Sequence, residues 1–542
     1  MSGILASLEF EQIPVYKPGE VEYEKSVATA YLLYRFARPS YVVQPTHPAQ
    51  VQDIVRYLVE YNDRQNPDSQ VSITIKNGGH SYAGFSSTDK GILLDLSKMN
   101  RVKLNLDKDS HPKSVTIRGG ALWGHVYKQL INGRHKGYML AGGDCPTVGV
   151  SGFVLGGGLS AFSRSLGMAC DNLTEATIIT ADGRMVTVGE NSDPDSNEGK
   201  LFWALRGGGA GNFGIVVQLK MNIHQLQKED DSARTRETVI AGRYTWFPYP
   251  GEVEEAKFMA TMNEFYTTKW ADSLAIHSTW ICDLQEARTL PAVRFIVYHN
   301  GEKNSFDKQL DKFVEQGNPS DQTRERRREL AEPLRRRSLA EPTTLFLHET
   351  LLAQWSEETQ MFFPSDKSYK YFSSFVFEND ESTIKEVTSM IKDRMRAFRD
   401  QFSRQQGLLQ VTLIHSGGKA GSPTANATAF PWRKDICYIA YIMVRWREKW
   451  LGEEMKSFCV SFTGELREKS MKGKAAFINF ADKTLRRNQY EDAYYDVNVI
   501  KLQEVKAHWD PKNLFHFSQS IRLVSPDAGY AAVAELRLQH VS

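Results

Sequence analysis

A histidine and a cysteine, each set among glycines, are the residues of this chain whose types best suit them to chemistry. His80 lies in KNGGHSYAG, residues 76–84, and Cys145 in GGDCPTVGVSGFVLGGG, residues 142–158. As a metal pair they lack two further ligands at suitable spacing. As a thiol–imidazole nucleophile pair they are competent, but that reading leaves the glycines unexplained. The chemistry left open to both is covalent attachment of an electrophilic cofactor, because imidazole nitrogen and thiolate are both nucleophiles. Singly, such a histidine is an ordinary hydrogen-bonding group and such a cysteine a small buried hydrophobe. Their glycine settings are what single them out, since glycine lets backbone N–H groups approach an anion closely.

A third cluster, GAGNFG at 209–214, has the G-x-G-x-x-G spacing of dinucleotide folds. The order of elements around it is inverted, with helical LFWALRGG before it and β-branched IVVQLKMNI after it, so a nicotinamide-type site does not fit. Tight turns alone would account for any one cluster. Three between residues 76 and 214 point instead to a long, phosphate-bearing cofactor, with KNGGHS, directly after a strand, as a diphosphate cradle.

Elements to hold these turns are legible around them. In HPAQVQDIVRYLVEYN, Val51, Ile54, Val55 and Leu58 recur at helical spacing. VSITIK, GILLDLS, SVTIRGG, ATIITADG and IVVQLKMNI read as strands. After about residue 225 the composition shifts to aromatic and charged strands, among them AVRFIVYHN, KYFSSFVFEND and ICYIAYIMVRW, with STIKEVTSMIKDRMRAFRDQF as an amphipathic helix on them. The expected class is therefore α+β, with residues 1–225 and 475–542 forming one split domain around an insertion at 226–474. The basic run RERRRELAEPLRRRS is interleaved with glutamate and reads as a solvated helix face.

Global properties narrow the function. At 542 residues the chain exceeds one compact core. A formal charge of +2 gives no electrostatic reason to expect nucleic acid or acidic membrane as a partner. No apolar run reaches the ~18 residues of a membrane span, and the N-terminal stretch has no secretory signal pattern; an intracellular location is expected. The five cysteines, Cys145, Cys170, Cys282, Cys437 and Cys459, form no CxxC pair, which argues against a disulfide framework or a zinc site.

The segments GGHSYAG, DLSKMNRV, GGALWGHVY, GGDCPTVGVSGFVLGGG, DNLTEATIITADGRMVTV, LFWALRGGGAGNFGIV and WDPKNLFHFSQSI together resemble the berberine-bridge-enzyme-like group of the vanillyl-alcohol oxidase superfamily. The resemblance covers essentially the whole chain, in the family's order. It implies a split PCMH-type FAD-binding domain enclosing a substrate domain of antiparallel sheet backed by helices, with a BBE-type C-terminal segment. It implies FAD attached twice, through His80 to the flavin 8α carbon and through Cys145 to C6. It further implies flavin or diphosphate contacts at Asn77, Gly78, Gly79, Ser81, Gly142, Gly149, Ser151, Gly152, Gly156, Ile215 and Asn498. Val148 matches the position that admits O2 to reduced flavin, so the resemblance implies an oxidase giving H2O2 from a small-molecule substrate.

Two departures from the family pattern bear on mechanism. Where many relatives carry a tyrosine base in Asn-Tyr-x-Asp, this chain has Asn479, Phe480, Ala481 and Asp482. The glutamate base of the plant alkaloid enzymes is also missing, with Ile439 at that place. Tyr82, Tyr441 and His415, the last expected in a loop approaching the cavity, are the candidate proton acceptors. A specialised metabolite of aromatic, polyketide or alkaloid type is the expected substrate; alternatives are an oligosaccharide, or a cyclisation without net redox.

Overall fold

In the computed structural model of the protein, residue 8 and residues 12–523 are described, apart from 30, 229–234, 249, 287–290, 345–346 and 348–367. Residues 524–542 of the expected C-terminal segment therefore lie outside the described residues.

Strands β1 (Val15–Tyr16), β2 (Tyr41–Val43), β3 (Ile73–Lys76) and β4 (Ile92–Asp95) form a small sheet in the order β1-β2-β4-β3, with β4 parallel to both β2 and β3. The helix Pro48–Asn62 connects β2 towards β3, starting on a proline and burying Val51, Ile54, Val55 and Leu58. Each such side chain contributes about 1.5–3 kcal/mol when fully buried. A second, antiparallel sheet takes β5 (Val102–Leu106), β6 (Pro112–Arg118), β8 (Leu173–Ile179), β9 (Met185–Gly189) and β10 (Ile215–Asn222) in the order β5-β6-β10-β8-β9. The short β7 (Tyr138–Met139) pairs with β11 (His224–Gln225). Val43, Ile54, Ile73 and Leu94 of the first sheet unit share one core with Ile179, Ile215 and Val217 of the second.

The third sheet is antiparallel and seven-stranded: β12 (Thr238–Trp246), β13 (Leu274–Asp283), β14 (Ala292–His299), β15 (Ser338–Pro342), β16 (Tyr369–Glu378), β17 (Gly407–Gly417) and β18 (Ile436–Trp446), in the order β15-β12-β14-β13-β17-β18-β16. Alternation sends Ile276, Trp280, Phe295, Val297 and Leu413 to one face. There they meet Phe258, Phe306, Phe398 and Phe462, from the helices Glu252–Thr267, Lys303–Glu315, Glu381–Gln401 and Gly452–Lys469. The basic run lies on the helix Asp321–Arg337, where Arg326 and Arg327 both pair with Glu264 and Arg324 with Glu315.

Residues 476–521 then return to the first two sheets. Tyr490, Tyr494, Leu502 and Trp509 enter the same core as Trp123, Val150 and Phe202. The buried Lys506 donates to Asp510 at 2.6 Å and to the Asn212 carbonyl at 2.8 Å, while Asn212 Oδ1 accepts from the Ile521 N–H. The GAGNFG cluster is thus clasped by the end of the chain. Across the other junction, the buried Arg164 donates to the carbonyls of Leu274, Ser416 and Trp270.

Candidate active site

The two halves of the molecule face each other across a cavity of about 470 Å³. One wall is made of backbone: the turn 77–81 after β3, the stretch 143–152, and Gly209–Gly211. The turns touch so closely that a Cβ on Gly78 would lie 2.5 Å from Gly149 N and 2.6 Å from Thr147 O. Asn77 ties the wall together, its Nδ2 donating to Gly119 O at 2.7 Å and Ser151 Oγ at 3.0 Å. Its buried Oδ1 has no partner and awaits a donor.

His80 and Cys145 both line this wall and share one neighbour. Thr147 Oγ1 lies 3.0 Å from His80 Nε2 and 3.3 Å from Cys145 Sγ. One hydroxyl can therefore donate to the imidazole while accepting from the thiol. Burial, then the nearby Lys76 and Lys370 charges, pull the His80 pKa down to about 3, so at neutral pH its ring is uncharged and keeps a lone pair for bond formation.

The facing wall is made of side chains from the third sheet: His277, Thr279, Ile296, Tyr298, Thr412 and Tyr441. Beside it Tyr82 stacks on Phe372 at 3.9 Å and on Phe480 at 5.5 Å between ring centroids. Tyr441 tilts against Phe480 at 4.9 Å. The Asn-Phe-x-Asp segment is held from behind, where Asp482 accepts from Ser373 and Arg467, both at 2.6 Å.

Similarity to known proteins fits this architecture. Residues 39–189 match the family described as FAD binding domain, and residues 476–522 the family described as berberine and berberine like. The chain is an FAD-linked oxidoreductase that carries an FAD-binding domain and a berberine-like segment. It is 27% identical over 489 residues to the uncharacterized FAD-linked oxidoreductase YgaK of Bacillus subtilis, covering 86% of this chain and 91% of that one. In fold it is similar to a glucooligosaccharide oxidase of Acremonium strictum (TM-score 0.75, 20% identity, 96% and 98% of the two chains). It is likewise similar to berberine bridge enzyme of Eschscholzia californica (TM-score 0.73, 19% identity, 96% and 98%).

This cavity has the features a flavin dinucleotide needs. Its glycine wall offers bare backbone, the position of an added Cβ on Gly152 has no atom within 4 Å, and the Asn77 acceptor is unsatisfied. Two nucleophiles reach the same threonine hydroxyl. Among the described residues no group of three or more His, Cys, Asp or Glu could hold a metal, and no helix is long and apolar enough to cross a membrane.

Of the residues singled out from sequence, Asn77, Gly78, Gly79, His80, Ser81, Tyr82, Cys145, Val148, Gly149, Ser151, Gly152 and Tyr441 line the cavity. Gly142, Gly156, Ile215 and Asn498 do not. A Cβ on Gly142 would strike Tyr127 Oη at 2.2 Å, and one on Gly156 would strike Asn479 Oδ1 at 1.9 Å, so both make room for protein. Ile215 is in the core between the first two sheets. The Asn498 amide donates to the carbonyls of Ala425, Thr428 and Ala429.

His415 is a correction. It sits on β17 and not in a loop, and alternation that turns Thr412 and Ile414 to the cavity turns His415 away. It stacks on Tyr438 at 5.2 Å between centroids, and burial holds its pKa well below the usual histidine range.

Sequence reasoning passed over Asp144, Thr147, His277 and Tyr298. The first two were in plain view beside Cys145. The other two are polar positions on one face of β13 and β14, a signal that needs the strands paired before it means anything.

Proposed function

We propose that this chain is an FAD-dependent oxidase, with the flavin bonded to both His80 and Cys145, that oxidises a flat aromatic small molecule and reduces O2 to H2O2. The flavin would supply the hydride acceptor and the O2-reactive centre. The backbone at 77–81 and 149–152 would hold the cofactor, its glycines allowing close approach. Val148, in the cavity wall, would set the oxygen passage beside it.

The stacked rings of Tyr82, Phe372 and Phe480 are the single observation that carries the substrate class. Aromatic pairs prefer such offset arrangements and gain about 0.5–1.5 kcal/mol beyond area burial, so a planar substrate can extend the stack. Tyr441 and Tyr82 would shape that end of the cavity. An oligosaccharide remains the second reading, favoured by the polar strip of His277, Thr279 and Thr412. Cyclisation without net redox is the third, favoured by Phe480 in place of the tyrosine.

The test is anaerobic bleaching of the flavin by matched panels of aromatic alcohols or amines and of oligosaccharides, followed by admission of air. Bleaching by aromatic compounds, with colour and H2O2 returning on aeration, is the expected result. Bleaching by oligosaccharides alone would establish the second reading. Turnover of an aromatic compound with no bleaching would establish the third.

A further inference from the structure

A half-buried carboxyl group in the cavity wall remains without a role. Asp144 lines it immediately before Cys145, and Tyr298 Oη, from the facing wall, donates to Asp144 Oδ2 at 3.4 Å. The pair thus joins the glycine wall to the sheet wall. The backbone N–H of Ala161 also donates to this carboxyl. We propose that Asp144, oriented by Tyr298, is the group that accepts the proton from the substrate's reacting O–H or N–H. This rests on the oxidase reading above.

The position suits the task. The carboxyl adjoins Cys145 in the chain and lines the same cavity, so a ring fastened through that thiol would lie against it. In the step, the substrate C–H hydrogen leaves with both bonding electrons to the flavin. The neighbouring O–H (or N–H) bond breaks, its proton goes to an Asp144 oxygen, and its electron pair becomes the second bond of the new C=O (or C=N). The carboxylate is left as a carboxylic acid and returns its proton to solvent in a later step. Neither position that a family tyrosine or glutamate would occupy, Phe480 or Ile439, has a proton acceptor to offer.

The surroundings make Asp144 able to change state near neutral pH. Burial raises its pKa to about 6, against lowering by the Tyr298 and Ala161 hydrogen bonds. The ionisable groups facing it are held neutral there. Tyr127, on the helix Trp123–Asn132, and Tyr298 are both raised well above the usual tyrosine range, each by burial first and by Asp144 second. His277, whose ring lies 5.2 Å from that of Tyr298, is lowered by burial to about 4, and His80 is lowered likewise. Arg243 acts on Tyr298 from β12, and Lys76 and Lys370 act on His80. Cys145 would be consumed as a thioether.

Two readouts on Asp144→Asn test this in the flavin-loaded protein. The first is anaerobic flavin reduction by a substrate that bleaches the parent. The rate should fall by roughly 100- to 10,000-fold, the scale of a general base, and lose the rise through pH 6 that the parent shows. Asp144→Glu should recover part of it. The second is thermal unfolding against pH, which needs no substrate. A carboxyl raised in the folded state contributes stability that is present below the unfolded value of 3.8 and lost as pH rises through about 6. The parent should therefore lose stability across that window relative to Asp144→Asn, and the difference in Tm should grow in the variant's favour.

Parallel stability curves, or a variant reduced at the parental rate while Tyr82→Phe or Tyr441→Phe collapses, would overturn the proposal. A parent that no substrate bleaches would count against the oxidase reading, and the stability curves would still judge the carboxyl.

Discussion

The two walls of the cavity are built on opposite principles. The glycine wall presents backbone, and its shape is fixed because adjacent turns touch with no side chain between them, as at Gly78 against Gly149. The sheet wall presents side chains at every second residue of paired strands, as at Thr279 and Thr412, whose hydroxyls lie 3.0 Å apart. A backbone wall can hold a constant cofactor and tolerates almost no change. A side-chain wall can be rewritten position by position without disturbing the strands behind it. In this molecule the backbone wall and the side-chain wall come from different stretches of the chain.

The comparison can be broken most forcefully at Gly78. Gly78→Val places carbon against backbone atoms that cannot rotate away, and overpacking of that kind costs about 3 kcal/mol or more. The expected outcome is little folded protein and none of it yellow, measured by yield and absorbance. On the sheet wall, Thr412→Val removes one neutral hydrogen bond, about 1 kcal/mol, and should fold and load flavin normally. Equal damage from the two would mean that the walls do not differ as described.

A smaller effect is expected at Thr147. Thr147→Val takes the shared hydroxyl from both nucleophiles, a loss of about 1 kcal/mol for a neutral hydrogen bond. Thermal unfolding should show that loss, and a time course of acid-precipitable flavin should show slower attachment. Gly152→Ala sharpens the same wall differently. Its methyl enters open space, so stability should stay within about 0.5 kcal/mol of the parent while flavin occupancy falls. The smallest change is Val148→Ile. One added methylene should slow reoxidation by O2 by roughly tenfold, the lower scale for one methylene in a tight apolar site. Stopped-flow reoxidation should show this, with anaerobic reduction by substrate much less affected.

The same contrast explains what could be read in the sequence. The glycine wall was legible because its residues are contiguous, and a run such as GGDCPTVGVSGFVLGGG has few other physical uses. The helix 48–62 and strands such as β3 and β8 followed from periodicity alone. Gly142 and Gly156 lie behind the wall against Tyr127 and Asn479; a glycine needed for a ligand and one needed for a neighbouring side chain look alike in sequence. The sheet wall was poorly legible. His277, Tyr298 and Thr412 come from three strands far apart in the chain, and only pairing brings them to one face. His415 shows the cost of a one-residue ambiguity, since on a strand the next residue points the other way.

The central claim is that one cofactor is fastened to both nucleophiles of the glycine wall. It is tested most directly by denaturing the purified protein in acid, separating supernatant from precipitate, and mapping the digested precipitate by mass spectrometry. Colour in the precipitate is expected, with a single flavin-bearing species joining the peptides that contain His80 and Cys145, and with His80→Ala and Cys145→Ala each leaving flavin on the other peptide. Free FAD in the supernatant with both peptides unmodified would contradict it.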